Sequence, residues 1–141
     1  ETSSHFRPER DGAAVVGGYF DDEPETPDPD SFSGSYDVPW AAETVERAGV
    51  YCDYFGDGTR LKRGWAGLYA VTPDHHPIVE ESIPGFVQAV GFSGHGFQHA
   101  PATGQVVAEL LLDGEASTVD VSDLGSDRFE RDDLLHERNV A

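Results

Sequence analysis

Phe86-Val87-Gln88-Ala89-Val90-Gly91-Phe92-Ser93-Gly94-His95-Gly96-Phe97, followed by Val106, Val107, Leu110 and Leu111 at helical spacing, reads as strand, glycine-rich bend and helix. Three glycines within six residues let a flat ligand approach the backbone with no side chain between. The helix beyond opens on unpaired N–H groups and a partial positive charge, which suits an anion or a developing one. Pro101 lies near the expected helix start, which falls between His95 and His99, and Gly114 is its stop. The spacing is G-x-x-G-x-G. It is neither a P-loop nor the G-x-G-x-x-G dinucleotide fingerprint, which occurs nowhere in the chain. From local physics alone, the glycines serve a ligand or the tight packing of helix on strand equally well.

Upstream of the bend, Pro77-Ile78-Val79 and Phe86–Val90 flank a Pro84-Gly85 turn and predict an antiparallel pair. Trp65-Ala66-Gly67-Leu68-Tyr69-Ala70-Val71 is a nearly continuous apolar run, which predicts a strand covered on both faces and broken by Thr72-Pro73-Asp74. Near the start, His5–Arg10 and Ala13–Phe20 flank Asp11-Gly12 and predict a hairpin. Asp21–Asp30, with six acids and three prolines, predicts a solvated loop. Pro39, Trp40, Ala41, Ala42, Val45, Ala48 and Gly49 predict a short helix, and Gly56-Asp57-Gly58 a turn. The fold class is α+β, with mostly antiparallel or mixed sheet and a few helices.

The chain has 141 residues, one domain's worth, with 38% apolar content and 11% aromatics. It carries 27 acids against 9 bases, a net of −18, and Lys62 is its sole lysine. Such a surface repels phosphate backbones and anionic lipid, which argues against nucleic-acid and membrane-surface roles. No apolar run approaches the ~20 residues of a membrane span and no signal peptide is read, so a cytoplasmic setting is expected. High acid with almost no lysine fits a cytoplasm rich in salt, where screening relieves self-repulsion. The single cysteine, Cys52, excludes an internal disulfide and reads as a buried inert thiol. The absence of methionine suggests a processed chain or a piece of a longer one.

Several motifs in order resemble one family. Arg63-Gly64-Trp65-Ala66-Gly67-Leu68-Tyr69, Thr72-Pro73-Asp74-His75-His76-Pro77-Ile78-Val79, Pro84-Gly85-Phe86, Gly91–Phe97 and Ala100-Pro101-Ala102-Thr103-Gly104 are similar to the C-terminal third of the D-amino-acid oxidase superfamily. Sarcosine oxidases, glycine oxidase and related amine dehydrogenases resemble it most, over residues 5–130. The resemblance implies the C-terminal piece of a two-domain oxidoreductase holding FAD. Residues 1–90 would be part of the substrate domain, 91–130 the flavin-ring bend and C-terminal helix, and 131–141 a tail. It implies oxidation of a small amine or amino acid by hydride transfer to flavin N5. Gly91, Phe92, Ser93, Gly94, His95, Gly96 and Phe97 would wrap the flavin ring, with Gly67 and Leu68 beside it.

The resemblance carries over unevenly. Tyr69 falls where relatives place a substrate-contacting Tyr or Arg, and Gln98 where monomeric sarcosine oxidases carry a Lys next to flavin and substrate. Gly67 stands at the position of their flavin-linking Cys, so FAD would be non-covalent there. Val16 stands where a strand lysine activates oxygen, which points to a dehydrogenase with another acceptor. The family's G-x-G-x-x-G Rossmann unit is absent, so it is expected in cis upstream or in a partner chain. The piece alone would not turn over.

Other readings compete. His75, His76, His95 and His99 raise a metal site, but three or four converging ligands are required, and structural histidines are the simpler reading, so no metal is assigned. Trp40 and Trp65 read as core. Asp120–Arg138 reads as a solvated tail, although Arg128-Phe129 matches a family ending and would then pack on the body. The alternatives to an enzyme piece are a non-catalytic acidic interaction module and a subunit completing a flavin site in trans.

Overall fold

The computed structural model describes residues 3–19, 26–131 and 134. Half of the Asp21–Asp30 loop and most of the 131–141 tail lie outside the described residues. The chain is α+β and divides into two compact units, Glu1–Leu68 and Tyr69–Ala141.

In the first unit, β1 (Ser3–Pro8) pairs antiparallel with β2 (Ala14–Tyr19), with Phe6 opposite Val16 and Pro8 opposite Ala14. The reversal is a 3-10 turn at Arg10–Gly12, in which Asp11 and Gly12 take φ of 60° and 70°. Asp and Gly tolerate that left-handed region best, so the expected hairpin forms there. Helix α1 runs Val38–Tyr51. It starts where it does because the Asp37 carboxylate accepts the Trp40 amide at 2.6 Å and Pro39 fits the first turn. Ala41, Thr44 and Ala48, spaced on one helical face, are buried. The Thr44 hydroxyl, which would otherwise be buried unpaired, donates to the Trp40 carbonyl at 2.8 Å. Phe6 joins helix end to hairpin, meeting Phe55 edge-on at 5.2 Å and Tyr54 stacked at 6.3 Å. Cys52 caps α1 and is half-buried rather than fully enclosed.

In the second unit, β3 (Ile78–Ile83) pairs antiparallel with β4 (Phe86–Val90) around Pro84 and Gly85, the latter at φ 82°. Ile78 faces Val90 and Ile83 faces Phe86, with an irregularity between Glu81 and Ile83. Helix α2 (Gly96–Leu112) packs against β4 and buries Val106. It ends at Asp113, followed by Gly114 at φ 79°. Two 3-10 turns, Ser122–Leu124 and Ser126–Glu130, complete the described part of the unit.

Three expectations are corrected. Trp65–Val71 is not a strand: it has no ladder among the described residues, and Trp65, Leu68, Tyr69 and Val71 are 42–62% exposed. A strand covered on both faces needs neighbours on each edge. Here the run makes isolated bonds, Ala66 N–H to the Gly34 carbonyl at 2.9 Å and the Ala70 carbonyl from Ser93 N–H at 3.1 Å. Trp65 is consequently not a core residue. Second, Gly96 and Phe97 are not part of the bend: α2 begins at Gly96, so Gly96, Phe97 and Gln98 form its first turn and the bend proper is Gly91–His95. Third, the 120–131 segment is no solvated tail, because Arg128 is 4% exposed and tied to the body.

Candidate functional site

The bend is built from left-handed backbone. Gly91, Ser93 and Gly94 have φ of 72°, 49° and 90°. Glycine adopts this freely; serine does so at a cost of about 1–3 kcal/mol, which the surroundings must hold in place. Ser93 is 1% exposed, its amide held by the Ala70 carbonyl and its hydroxyl 3.4 Å from the Gly91 carbonyl. Thr72 and Tyr69 press on the two glycines. A Cβ at Gly91 would stand 2.6 Å from the Thr72 methyl, and one at Gly94 3.4 Å from the Tyr69 ring. The approach that the glycines permit is therefore taken up partly by this chain's own side chains.

Immediately after the bend, the amides of Gly96, Phe97 and Gln98 open α2 with no hydrogen-bond acceptor among the described residues. Three N–H groups with the helix dipole behind them form a site for negative charge. Phe97 is 92% exposed, and Gln98 is exposed on the same turn. Phe92 packs under Gly96 and lies 6.2 Å from the His99 ring, which is 6.3 Å from the His95 ring. No group of three or more metal-type ligands occurs among the described residues. Of the expected site residues, Tyr69, Gly91–Phe97 and Gln98 belong to the second unit, where Tyr69 and Gly94 are in contact. Gly67 and Leu68 close the first unit, and a Cβ on Gly67 would meet nothing within 4 Å.

Beside the bend lies the Thr72–His76 turn, whose pairing with Arg128 the sequence reading did not single out. Thr72–His76 reverses the chain through His75 at φ 67°, and the Thr72 hydroxyl donates to the His76 carbonyl at 2.7 Å. Asp74, 2% exposed, is paired with Arg128 through Nε to Oδ2 at 2.6 Å and Nη2 to Oδ1 at 3.0 Å. The Arg128 hydrogen bonds hold the Asp74 carboxyl at about 2, below its ordinary 3.8. A second tie runs parallel: the Glu80 carboxylate accepts Ser126 N–H at 2.9 Å and the Ser126 hydroxyl at 2.8 Å, which lowers its pKa. Further along, the hydroxyl and amide of Thr118 lower Glu109 to about 2.

An acid-stability profile follows for Asp74. Its folded pKa is depressed, so the stabilisation is full above about 3.8 and disappears as pH falls toward about 2. The gap corresponds to about 2 kcal/mol. Urea midpoints measured across that window should fall more steeply for wild type than for Asp74→Asn. Parallel curves would show that the carboxylate contributes nothing there.

A family described as FAD dependent oxidoreductase matches residues 1–110, so the chain belongs to that FAD-dependent oxidoreductase family. Among individual proteins it is 32% identical to FAD-dependent oxidoreductase domain-containing protein 1 of Xenopus laevis, over 99% of this chain and 28% of that protein. It is 39% identical to the Drosophila melanogaster homolog over 53% of this chain and 15% of that protein. It is 34% identical to the monomeric sarcosine oxidase of Bacillus sp. (strain B-0618) over 62% of this chain and 23% of that protein. The chain thus spans little more than a quarter of the first of these relatives. No solved structure gives a significant match. No described helix is long and apolar enough to cross a membrane.

Proposed function

We propose that this chain forms the flavin-ring side of an FAD-dependent oxidoreductase acting on a small amine or amino acid. The observation that carries the reading is the left-handed backbone at Gly91, Ser93 and Gly94, leading into three acceptor-free amides of α2. Those amides suit the end of a flavin that gains negative charge, and they do so without reorganising. Bound FAD would supply the hydride acceptor at N5. Gly67, lacking a side chain, leaves the cofactor non-covalent at that position. Similarity to a protein named monomeric sarcosine oxidase supports an amine substrate. An ADP-binding Rossmann region, in cis or on a partner chain, would hold the rest of the cofactor, and the acidic surface suits a salt-rich cytoplasm.

Tyr69 would orient the substrate through its hydroxyl, and Gln98 would donate a neutral hydrogen bond from the first turn of α2. The full-length protein should purify with bound flavin, and its visible band should bleach anaerobically with at least one N-methyl or primary amino acid. Absence of flavin would overturn the reading. Tyr69→Phe should keep its flavin and lose about tenfold in kcat/KM, the worth of one hydrogen bond. Unchanged kinetics would remove Tyr69 from the substrate site.

A further inference from the structure

Arg128 is fully enclosed and uses every donor it has. Nε and Nη2 grip the Asp74 carboxylate, Nη2 also donates to the His76 carbonyl at 2.7 Å, and Nη1 donates to the Leu124 and Gly125 carbonyls at 3.0 and 3.1 Å. Its guanidinium lies 4.2 Å from the Phe129 ring centroid. A buried pair of this kind adds little net stability over packed apolar residues. What five directed bonds do supply is position, because the planar fork fixes every acceptor it engages.

Those acceptors lead to the bend. The His76 carbonyl is shared, taking the Arg128 Nη2 proton and the Thr72 hydroxyl at 2.7 Å each. The Thr72 methyl fills the space beside Gly91 that a side chain there would need. Two residues earlier, the Ala70 carbonyl receives the Ser93 amide. Arg128, Asp74, Thr72 and Ser93 are each at most 7% exposed, His76 and Gly91 are half-buried, and Ala70 is exposed.

We propose that Arg128 is a positioning residue for the bend. Through Asp74 and the His76 carbonyl it sets Thr72, whose methyl, with the nearby Ala70 carbonyl, holds Gly91, Ser93 and Gly94 in left-handed form. The relay exists independently of any ligand; only its purpose rests on the flavin reading above.

The test uses the full-length protein carrying Arg128→Lys, which keeps the charge and loses the fork, or Thr72→Ser, which keeps the hydroxyl and loses the methyl. Amide hydrogen exchange at residues 91–95 should rise on the order of tenfold in both. Flavin Kd should weaken by a similar factor, with a shifted visible band. Glu80→Gln, which loosens the Ser126 anchor, should speed exchange around 122–130 and leave the bend and the flavin band as in wild type. Unchanged exchange at 91–95 in both variants overturns the relay, even if thermal stability falls. If Arg128→Lys does not accumulate, Thr72→Ser decides alone. Faster exchange at 91–95 in a protein that retains no flavin keeps the relay and overturns the flavin reading. Bound flavin with exchange and spectrum unmoved does the reverse.

Discussion

Arg128→Met should cost about 3–5 kcal/mol of folding free energy, a large share of the ~5–15 kcal/mol available to a domain. The cause is the carboxylate left behind. Asp74 is 2% exposed and would lose both charge-assisted bonds from the guanidinium, while the His76 amide at 3.2 Å remains. An isolated buried carboxylate either stays charged at great cost or takes up a proton, so the variant should also become more stable as pH drops below neutral. The double variant Asp74→Asn with Arg128→Met removes both charges and should recover much of the loss. Urea denaturation of the three proteins separates these terms. A single-variant cost within about 0.5 kcal/mol, the range of ordinary surface substitutions, would show that the pair is not enclosed.

Gly94→Val should reduce flavin affinity of the full-length protein by about 100-fold. At φ 90° a β-branched residue is strained by about 1–3 kcal/mol, and its Cβ would sit 3.4 Å from the Tyr69 ring with its methyls closer. Relief requires backbone movement of the bend, which displaces the amides that open α2. Gly104→Ala is the matched control. It lies in the helix interior with nothing within 4 Å of a Cβ, so the change should stabilise by about 1 kcal/mol and leave flavin content alone. Wild-type affinity in Gly94→Val would remove the bend from the cofactor site.

What could be read in advance follows a physical divide. Both hairpins were legible because their turns announce themselves: Asp11-Gly12 and Gly85 are residues that accept positive φ, flanked by β-forming segments. Helix α1 was legible from Pro39 in its first turn and Gly49 near its end. Pro101 marked the start of α2 only approximately, because proline favours a first turn and here follows one. Trp65–Val71 misled differently. An apolar run reports that a segment is to be covered, but not what covers it, and no ladder forms on it among the described residues. The Asp74–Arg128 pair was illegible for a third reason. Its partners lie 54 positions apart; Arg128-Phe129 was readable as a family-like ending that packs on the body, but Asp74 looks locally like an ordinary loop charge. The signal that could have found it was an arginine beside an aromatic in an acidic segment, opposite an acid in the Thr72–His76 turn.

Pro101 has a mechanical consequence. With no N–H to give, it leaves the Phe97 carbonyl without its usual intrahelical donor, and its ring crowds that same oxygen. The ladder of α2 is therefore interrupted just beyond the turn that carries Gly96, Phe97 and Gln98. A strut with a notch near its tip bends at the notch. The tip can be re-aimed by a neighbouring substitution or a bound molecule while the shaft from Ala102 to Leu112, anchored by Val106, stays where it is. Compliance is thus confined to the first turn of α2, and the long lever behind it does not transmit it.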